Sequence, residues 1–164
     1  MVELLVVDTG PLVAIERMGC LDIVGRLPYE LVCPEAVRQE LDEGERCGHA
    51  RIAPPWLAAR ALASALAPLG LVELGPGEAA VIQLARELGA ATVVIDEWKG
   101  RRAALALGLE VTGSLGLLAT AKQRGLIESL RPLVEHARRH GIRYHPAVVA
   151  AVLREVGEDP PETG

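Results

Sequence analysis

Four carboxylates occupy positions where chemistry is expected: Asp8, Glu40, Glu78 and Asp96. Asp8 and Asp96 directly follow apolar runs, and Glu78 lies in the first turn of a predicted helix. Glu40 flanks the apolar stripe of another predicted helix, on its buried side. Carboxylates about 5 Å apart repel by roughly 3 kcal/mol at an effective dielectric near 20, so a cluster requires a cation or shared protons. Oxygen ligands suit Mg2+ or Mn2+, which activate water and stabilise phosphoryl charge, so the expected chemistry is phosphodiester hydrolysis.

Each of these acids also has an ordinary structural explanation when it is taken alone. Asp8 or Asp96 could cap the helix that follows its strand. Glu78 could favour a helix N-terminus electrostatically, and Glu40 could be a partly buried partner of a basic residue. The functional interpretation therefore depends on all four meeting at one edge of the fold.

The apolar runs before Asp8 and Asp96 have the length of strands buried on both faces of a parallel sheet. Ligands of open α/β sheets bind beyond the carboxyl ends of the strands, which is where both aspartates fall. Strand and helix patterns alternate from the start of the chain to about residue 125. The sequence therefore predicts an α/β fold with a doubly wound, mainly parallel sheet, right-handed crossovers and helices on both faces.

The segment between the two halves of the sheet is assigned from composition and turn signals. Residues 44–55 are rich in Gly, Pro and charge and are predicted as a loop. The Ala-rich residues 56–66 are predicted as a helix, and 69–74 as a short strand. A helix then starts after Gly-Pro-Gly and ends at Gly89 as a C-cap.

A chain of 164 residues fits one domain with a sizeable core. We predict a single domain over 1–157, completed by C-terminal closing helices over 128–140 and 146–156, and a flexible tail over 158–164. The core must be aliphatic, since the chain has no Phe and only two Trp and two Tyr. Three cysteines without a CxxC motif favour free thiols in a reducing cytoplasm. No apolar run is long enough to predict a membrane span.

Five segments of the chain resemble the PIN-domain superfamily: VVDTGPLVAI, PEAVRQEL, GPGEAAVIQLA, VVIDEWKGRRAALALGL and VTGSLGLLATAKQRGLI. They occur in the expected order from residue 4 to about residue 131 and look like a branch of small prokaryotic PIN-like proteins close to toxin ribonucleases. By motif, the resemblance places the family's acids on Asp8, Glu40, Glu78 and Asp96. Many toxin members have Asp where this chain has Glu78, so the reach of that ligand differs.

The resemblance implies a metal-dependent endoribonuclease that hydrolyses single-stranded RNA with Mg2+ or Mn2+. It further implies the toxin of a toxin-antitoxin pair, with an antitoxin protein as partner and a homodimer as the usual state. Thr9 and Ser114 would hold a water or a phosphate through their hydroxyls, although helix N-capping explains both equally well. The alternative is a non-catalytic, dimeric PIN-like binding or regulatory module whose acids bind metal weakly or not at all.

The formal net charge of -5 argues against general coating of nucleic acid, so phosphate contacts must be local. Lys99, Arg101 and Arg102 follow Asp96 and would receive RNA phosphates, with Trp98 stacking on a base. A solvated helix face is the alternative for this segment. A second basic cluster within 136–143 is either an RNA or partner surface or a complement to a helix dipole.

Overall fold

The computed structural model describes residues 2–67 and 73–159. In these residues one all-parallel sheet contains β1 (Glu3–Val7), β2 (Tyr29–Pro34), β3 (Leu57–Arg60), β4 (Thr92–Val94) and β5 (Glu110–Thr112). The strand order is β3-β2-β1-β4-β5. The chain first builds outward from β1 to β3 and then returns to add β4 on the other side of β1. The switch point of the sheet therefore lies between β1 and β4.

The helices within the described residues are α1 (Thr9–Arg17), α2 (Leu21–Val24), α3 (Glu35–Arg46), α4 (Pro76–Leu88), α5 (Trp98–Ala106), α6 (Ser114–Gln123), α7 (Arg131–Arg139) and α8 (Pro146–Glu155). Helix α4 packs on the sheet and against α5, whereas α1 and α2 pack with α6. The predicted doubly wound α/β fold, with helices on both faces, is confirmed. The loop predicted over 44–55 begins later than expected, because α3 continues to Arg46. None of the described helices has the length and apolar character needed to cross a membrane.

Strand β1 is the centre of the aliphatic core. Leu5, Val6 and Val7 are all buried, because β1 is hydrogen-bonded on both edges and covered by helices. β-branched and Leu side chains suit such a strand because they pack on both faces of the pleat. The strand therefore holds the residue that follows it, Asp8, in a fixed position.

The prediction of a helix over 56–66 is wrong, because these residues contain β3 followed by irregular backbone. β3 pairs in parallel with the edge of β2. The Trp56 ring packs so closely over Gly25 that an added Cβ there would overlap it. Strand pairing and this contact outweigh the helix propensity of alanine. Of the predicted strand over 69–74, residues 69–72 lie outside the described part of the chain.

Helices α7 and α8 form the predicted C-terminal closure, although α7 begins later than the predicted residue 128. Helix α7 packs against α1 and helix α8 against α6, and their buried residues are Val134, Ala137, Val149 and Leu153. The segment between them, residues 140–145, has no regular structure. Because both helices pack on the core, the segment that connects them is held next to the rest of the fold.

Glu158, the first residue of the predicted flexible tail over 158–164, is held in place. Burial opposes its ionisation, but hydrogen bonds to the carboxylate lower the pKa of Glu158 to about 2. Residues 160–164 of the tail lie outside the described residues. The donors to Glu158 are Lys122 Nζ (2.8 Å), Ser129 Oγ (2.8 Å), Leu130 N (2.7 Å) and Arg131 N (3.0 Å).

Candidate active site

Asp8 and Asp96 follow two neighbouring strands at the switch point of the sheet. The Asp8 N–H donates to Val94 O at 3.0 Å, which extends the pairing of β1 with β4 by one residue. The Ile95 N–H donates to Thr112 O at 2.9 Å, so β4 stays paired with β5 up to the residue before Asp96. Because the strands are parallel, both aspartates leave the sheet at its carboxyl edge.

Glu40 reaches the same edge from α3. Its Oε2 accepts a hydrogen bond of 2.5 Å from the hydroxyl of Thr9, which is the first residue of α1. The residue is exposed, not turned to the buried side of α3 as predicted, because its carboxylate faces an open cleft. Gly77 in α4 leaves space for this carboxylate, since a Cβ at Gly77 would overlap Glu40 Oε1.

Glu78 lies in the first turn of α4, as predicted, and is half-buried. Its Oε2 accepts a hydrogen bond from Gly75 N at 3.3 Å, so it also closes the N-terminus of the helix. Burial raises the pKa of Glu78, the hydrogen bond from Gly75 lowers it, and the charges of Glu97 and Glu40 raise it further. The capping role and a place in the acidic cluster therefore coexist in one residue.

The predicted acids Asp8, Glu40, Glu78 and Asp96 all line one cleft of about 490 Å³. Arg143, a member of the basic cluster predicted within 136–143, also lines the cleft, whereas Glu97 and Tyr144 are polar lining residues that were not predicted from the sequence. Glu97 could have been found, because it follows Asp96 directly and precedes a helix. Arg143 and Tyr144 come from the segment between α7 and α8, and only the tertiary fold brings them to the cleft.

Asp8 is the most perturbed of the acids in this cleft. Burial is the main cause that raises the pKa of Asp8 to about 7, against a lowering by the backbone N–H of Thr9. The charges of Glu78, Glu40 and Asp96 raise it further, in that order. The four carboxylates form no ion pair with any Lys, Arg or His in residues 2–67 and 73–159. The cleft thus holds a buried carboxylate among like charges, and no cationic side chain of the described residues forms an ion pair with it.

Asp96 is held by the start of α6. Its Oδ1 accepts from Ser114 N at 2.8 Å and its Oδ2 from Ser114 Oγ at 2.7 Å. The Ser114 hydroxyl also lies 2.6 Å from the Tyr144 hydroxyl. Ser114 is the first residue of α6, and Gly113 is its N-cap, so the N-capping alternative for Ser114 does not hold. Burial raises the pKa of Asp96, and the hydrogen bonds from Ser114 and the charge of Arg101 lower it.

Helix α5 is capped by Glu97, so Asp96 does not cap the helix that follows its strand. The Glu97 carboxylate accepts hydrogen bonds from Lys99 N at 3.0 Å and Gly100 N at 3.2 Å. Thr9, which was also considered as a cap, is instead the first residue of α1 and donates its hydroxyl to Glu40. The two hydroxyls predicted to hold water or phosphate are therefore both bound to acids of the cleft.

The basic residues of α5 are only partly brought to the site. Arg101 lies beside Asp96 and donates from Nη1 to Ile95 O at 2.7 Å. Lys99 is exposed, and Arg102 lies over the exposed ring of Trp98 at 5.4 Å. Neither Lys99 nor Arg102 lines the acidic cleft.

The donor chemistry of the cleft fits a divalent cation that prefers oxygen. Asp8, Asp96, Glu78 and Glu40 supply carboxylate oxygens, and the pKa of Asp8 is raised mainly by burial and further by the neighbouring carboxylates, whose repulsion a cation would offset. Within the described ranges, no three His, Cys, Asp or Glu side chains form a ready-made group for a metal ion. Asp8 and Asp96 are the two carboxylates fixed by the sheet, and the longer glutamate side chains have more freedom to adjust.

An all-parallel α/β domain with a carboxylate cleft at its switch point is an arrangement suited to metal-assisted chemistry on phosphates. A sequence profile described as a PIN domain, the DUF3368 family, matches residues 4–158. The chain belongs to this PIN-domain family, as the sequence motifs predicted. PIN domains are generally nucleases that act on RNA and use divalent metal ions.

A solved structure with the same fold is similar to this chain. It is a PilT N-terminus domain protein, SSO1118, from the hyperthermophilic archaeon Sulfolobus solfataricus P2. The two share 18% sequence identity with a TM-score of 0.50, and the match covers 72% of this chain and 92% of that one. At this identity the similarity supports the fold alone. A comparison with curated proteins gave no significant match.

Proposed function

We propose that this PIN domain is a metal-dependent endoribonuclease that hydrolyses phosphodiester bonds of single-stranded RNA with Mg2+ or Mn2+. One observation carries the proposal: the buried Asp8 shares its cleft with Glu40, Glu78 and Asp96 and has no cationic side chain paired to it in the described residues. Holding these carboxylates close together and away from water costs free energy unless a bound cation offsets their repulsion. The family membership supports the same chemistry.

In the proposed function, the carboxylates of the cleft would hold the cation, and neighbouring hydroxyls orient these carboxylates through hydrogen bonds. Asp8 and Asp96 are anchored by the sheet, and Ser114 fixes the orientation of Asp96 through two hydrogen bonds. Thr9 holds Glu40 toward the cleft. A bound Mg2+ or Mn2+ would supply Lewis acidity and an activated water for in-line attack at phosphorus.

In the proposed function, the basic residues of α5 bind the RNA substrate. Arg101 lies next to Asp96, and Lys99 and Arg102 extend the positive charge along the exposed surface of the helix. RNA phosphates would bind these cations, while Trp98, which is 58% exposed, offers a ring for stacking. We include in the proposal a toxin role with an antitoxin protein as partner and a homodimeric state, because of the resemblance to toxin ribonucleases.

A second candidate is a non-catalytic, dimeric PIN-like binding or regulatory module. The observation that favours it is that the described residues contain no ready-made group for a metal ion. In this case the acids would bind divalent ions weakly or not at all, and the cleft would bind RNA or protein without cutting it. The two candidates therefore differ in the effect of metal on the protein.

Cleavage of labelled single-stranded RNA tests the proposed function directly. We expect the wild-type protein to cut a mixed-sequence oligonucleotide in Mn2+ or Mg2+ and to lose this activity in EDTA, because the carboxylates alone cannot activate water. Duplex RNA of the same sequence is the control for strand selectivity. Binding of RNA without cutting, in either metal, would favour the non-catalytic module.

The Gly77→Ala variant is expected to lose cleavage activity about tenfold or more without losing stability. The added Cβ overlaps Glu40 Oε1 and would displace that carboxylate from the cleft. A tenfold loss corresponds to about 1.4 kcal/mol of transition-state stabilisation. Ala in a helix is favoured over Gly by about 0.5–1 kcal/mol, so the melting temperature should be unchanged or higher.

Gly44→Ala is the control for this variant. Gly44 is a helical glycine of α3 that does not line the acidic cleft, and an added Cβ there would make only ordinary contacts with His49. We expect Gly44→Ala to keep wild-type cleavage. Equal activity of the two variants would show that the position of Glu40 is unimportant for the reaction.

A further inference from the structure

The segment that joins α7 and α8 crosses the edge of the acidic cleft. Gly141, Ile142, Arg143 and Tyr144 line the cleft from this side. Arg143, Tyr144 and Asp96 also line a neighbouring cavity of about 440 Å³. Asp96, Arg143 and Tyr144 are thus common to both cavities, and a strand that occupied both would lie beside Arg143.

The second cavity has a different chemical character from the acidic cleft. Asp96 is the one carboxylate among the described residues that line it. An aromatic ring, basic side chains and an apolar wall make up much of the remaining lining, a combination that accepts an unpaired nucleotide by stacking and charge. These residues include Trp98, Arg101, His145, Leu115, Val148 and Val152.

Arg143 is the basic side chain that the acidic cleft contains. No other Lys, Arg or His of the described chain lines that cleft, which carries five carboxylates. The Arg143 guanidinium makes no ion pair with any of them, nor with another acid in residues 2–67 and 73–159. Arg101, in contrast, already donates to Ile95 O. The guanidinium of Arg143 is thus available for a phosphate, which it can bind with two parallel hydrogen bonds.

Tyr144 anchors the backbone next to Arg143. Its hydroxyl is hydrogen-bonded to Ser114 Oγ, which in turn donates to Asp96 Oδ2. Burial and the charge of Asp96 raise the pKa of Tyr144, so the phenol stays protonated at physiological pH. The arginine is therefore presented from a segment that is tied to an acid of the proposed catalytic cluster, which reduces the entropy lost when it binds a substrate.

We propose that Arg143 binds the RNA phosphate adjacent to the scissile one, where the strand passes from the acidic cleft into the second cavity. The adjoining unpaired nucleotide then occupies the second cavity beside Trp98. This inference rests on the proposed function and specifies the path of the substrate. Arg143 also supplies a local positive charge in the acidic cleft, which a polyanion needs in order to approach five carboxylates.

Binding measurements in an inactive background test this role separately from catalysis. Fluorescently labelled oligouridine is titrated with Asp8→Asn protein in EDTA at several salt concentrations. Adding Arg143→Ala should weaken binding about tenfold and reduce the slope of log K against log salt by about 0.7, as expected for one lost phosphate contact on a single strand. Arg143→Lys should retain most of the slope but bind more weakly than arginine, because it lacks the planar fork.

Arg86→Ala is the control with the same change in net charge. Arg86 is exposed in the last turn of α4, at the opposite end of the helix from Glu78, and should leave both affinity and salt slope unchanged. In the active protein, Arg143→Ala should raise KM about tenfold with kcat changed much less, because the contact holds the ground state and the transition state alike. Thermal melting confirms that each variant is folded.

The outcomes separate this inference from the proposed function. If wild-type protein cleaves RNA and Arg143→Ala has the KM and salt slope of Arg86→Ala, Arg143 does not bind the substrate. If RNA binds with the expected dependence on Arg143 but wild-type protein never cuts it, the path of the strand stands and the nuclease does not. If the protein neither binds nor cuts RNA, both are overturned.

Discussion

Asp8→Asn is expected to lower metal-dependent RNA cleavage about 1,000-fold, because the central carboxylate of the cleft loses its charge. A metal ion contributes several kcal/mol of charge stabilisation, and each 1.36 kcal/mol corresponds to a factor of ten in rate. Asn keeps the size of Asp8 and one oxygen, so the packing at the end of β1 should survive. The measurement is single-turnover cleavage of labelled RNA in Mn2+ with protein in excess.

Asp22→Asn serves as the control for this loss. Asp22 is an exposed residue of α2 and does not line the acidic cleft. It undergoes the same chemical change and should retain wild-type cleavage. Cleavage that persists at the wild-type rate in Asp8→Asn would indicate a contaminating ribonuclease or a different site.

The same Asp8→Asn substitution is expected to stabilise the metal-free protein at alkaline pH, by about 4 kcal/mol at most. The pKa of Asp8 is raised by folding to about 7, so between about pH 4 and pH 7 the folded state binds more protons than the unfolded state. The stability of the wild-type protein should therefore fall as pH rises through this window, and the full cost should be present above it. Asn carries no charge and avoids this cost.

Urea unfolding in EDTA at pH 5 and pH 8 measures this effect. The gain from Asp8→Asn should be much larger at pH 8 than at pH 5, whereas Asp22→Asn should change little at either pH. Mn2+ at 100 times its Kd should stabilise wild-type protein by about 2.7 kcal/mol and the Asn variant far less. A destabilised Asp8→Asn protein at pH 8 would mean that the carboxylate of Asp8 has a structural role instead.

The sequence predicted the sheet and its acidic edge because both depend on local patterns. Apolar runs that end in Asp8 and Asp96 identify the central strands, and the parallel topology then brings their ends together. Glu78 could be located because helix α4 has clear turn residues at its start and Gly89 in the left-handed conformation at its end. Glu40 was found, but its exposure was not, since its environment is an open cleft formed by several elements.

The sequence was less informative where tertiary contacts override local preference. The Ala-rich segment over 56–66 has helical propensity, but the free edge of β2 and the contact of Trp56 with Gly25 make part of it a strand. The hydroxyl of Ser114 serves Asp96 and Tyr144, and no spacing in the chain relates these three residues. Contacts of this kind become visible only in the folded protein.

The hydrogen bonds of Glu158 have a consequence for where substrate preference can be changed in this protein. Glu158 binds Lys122 of α6 as well as the first residues of α7, and Tyr144 is hydrogen-bonded to Ser114, so the hairpin formed by α7 and α8 is attached to the α/β core at both places. Residues 141–143 lie between these two attachments and line the cleft. Under the proposed function, substitutions in this segment would change substrate preference and leave the four acids in place.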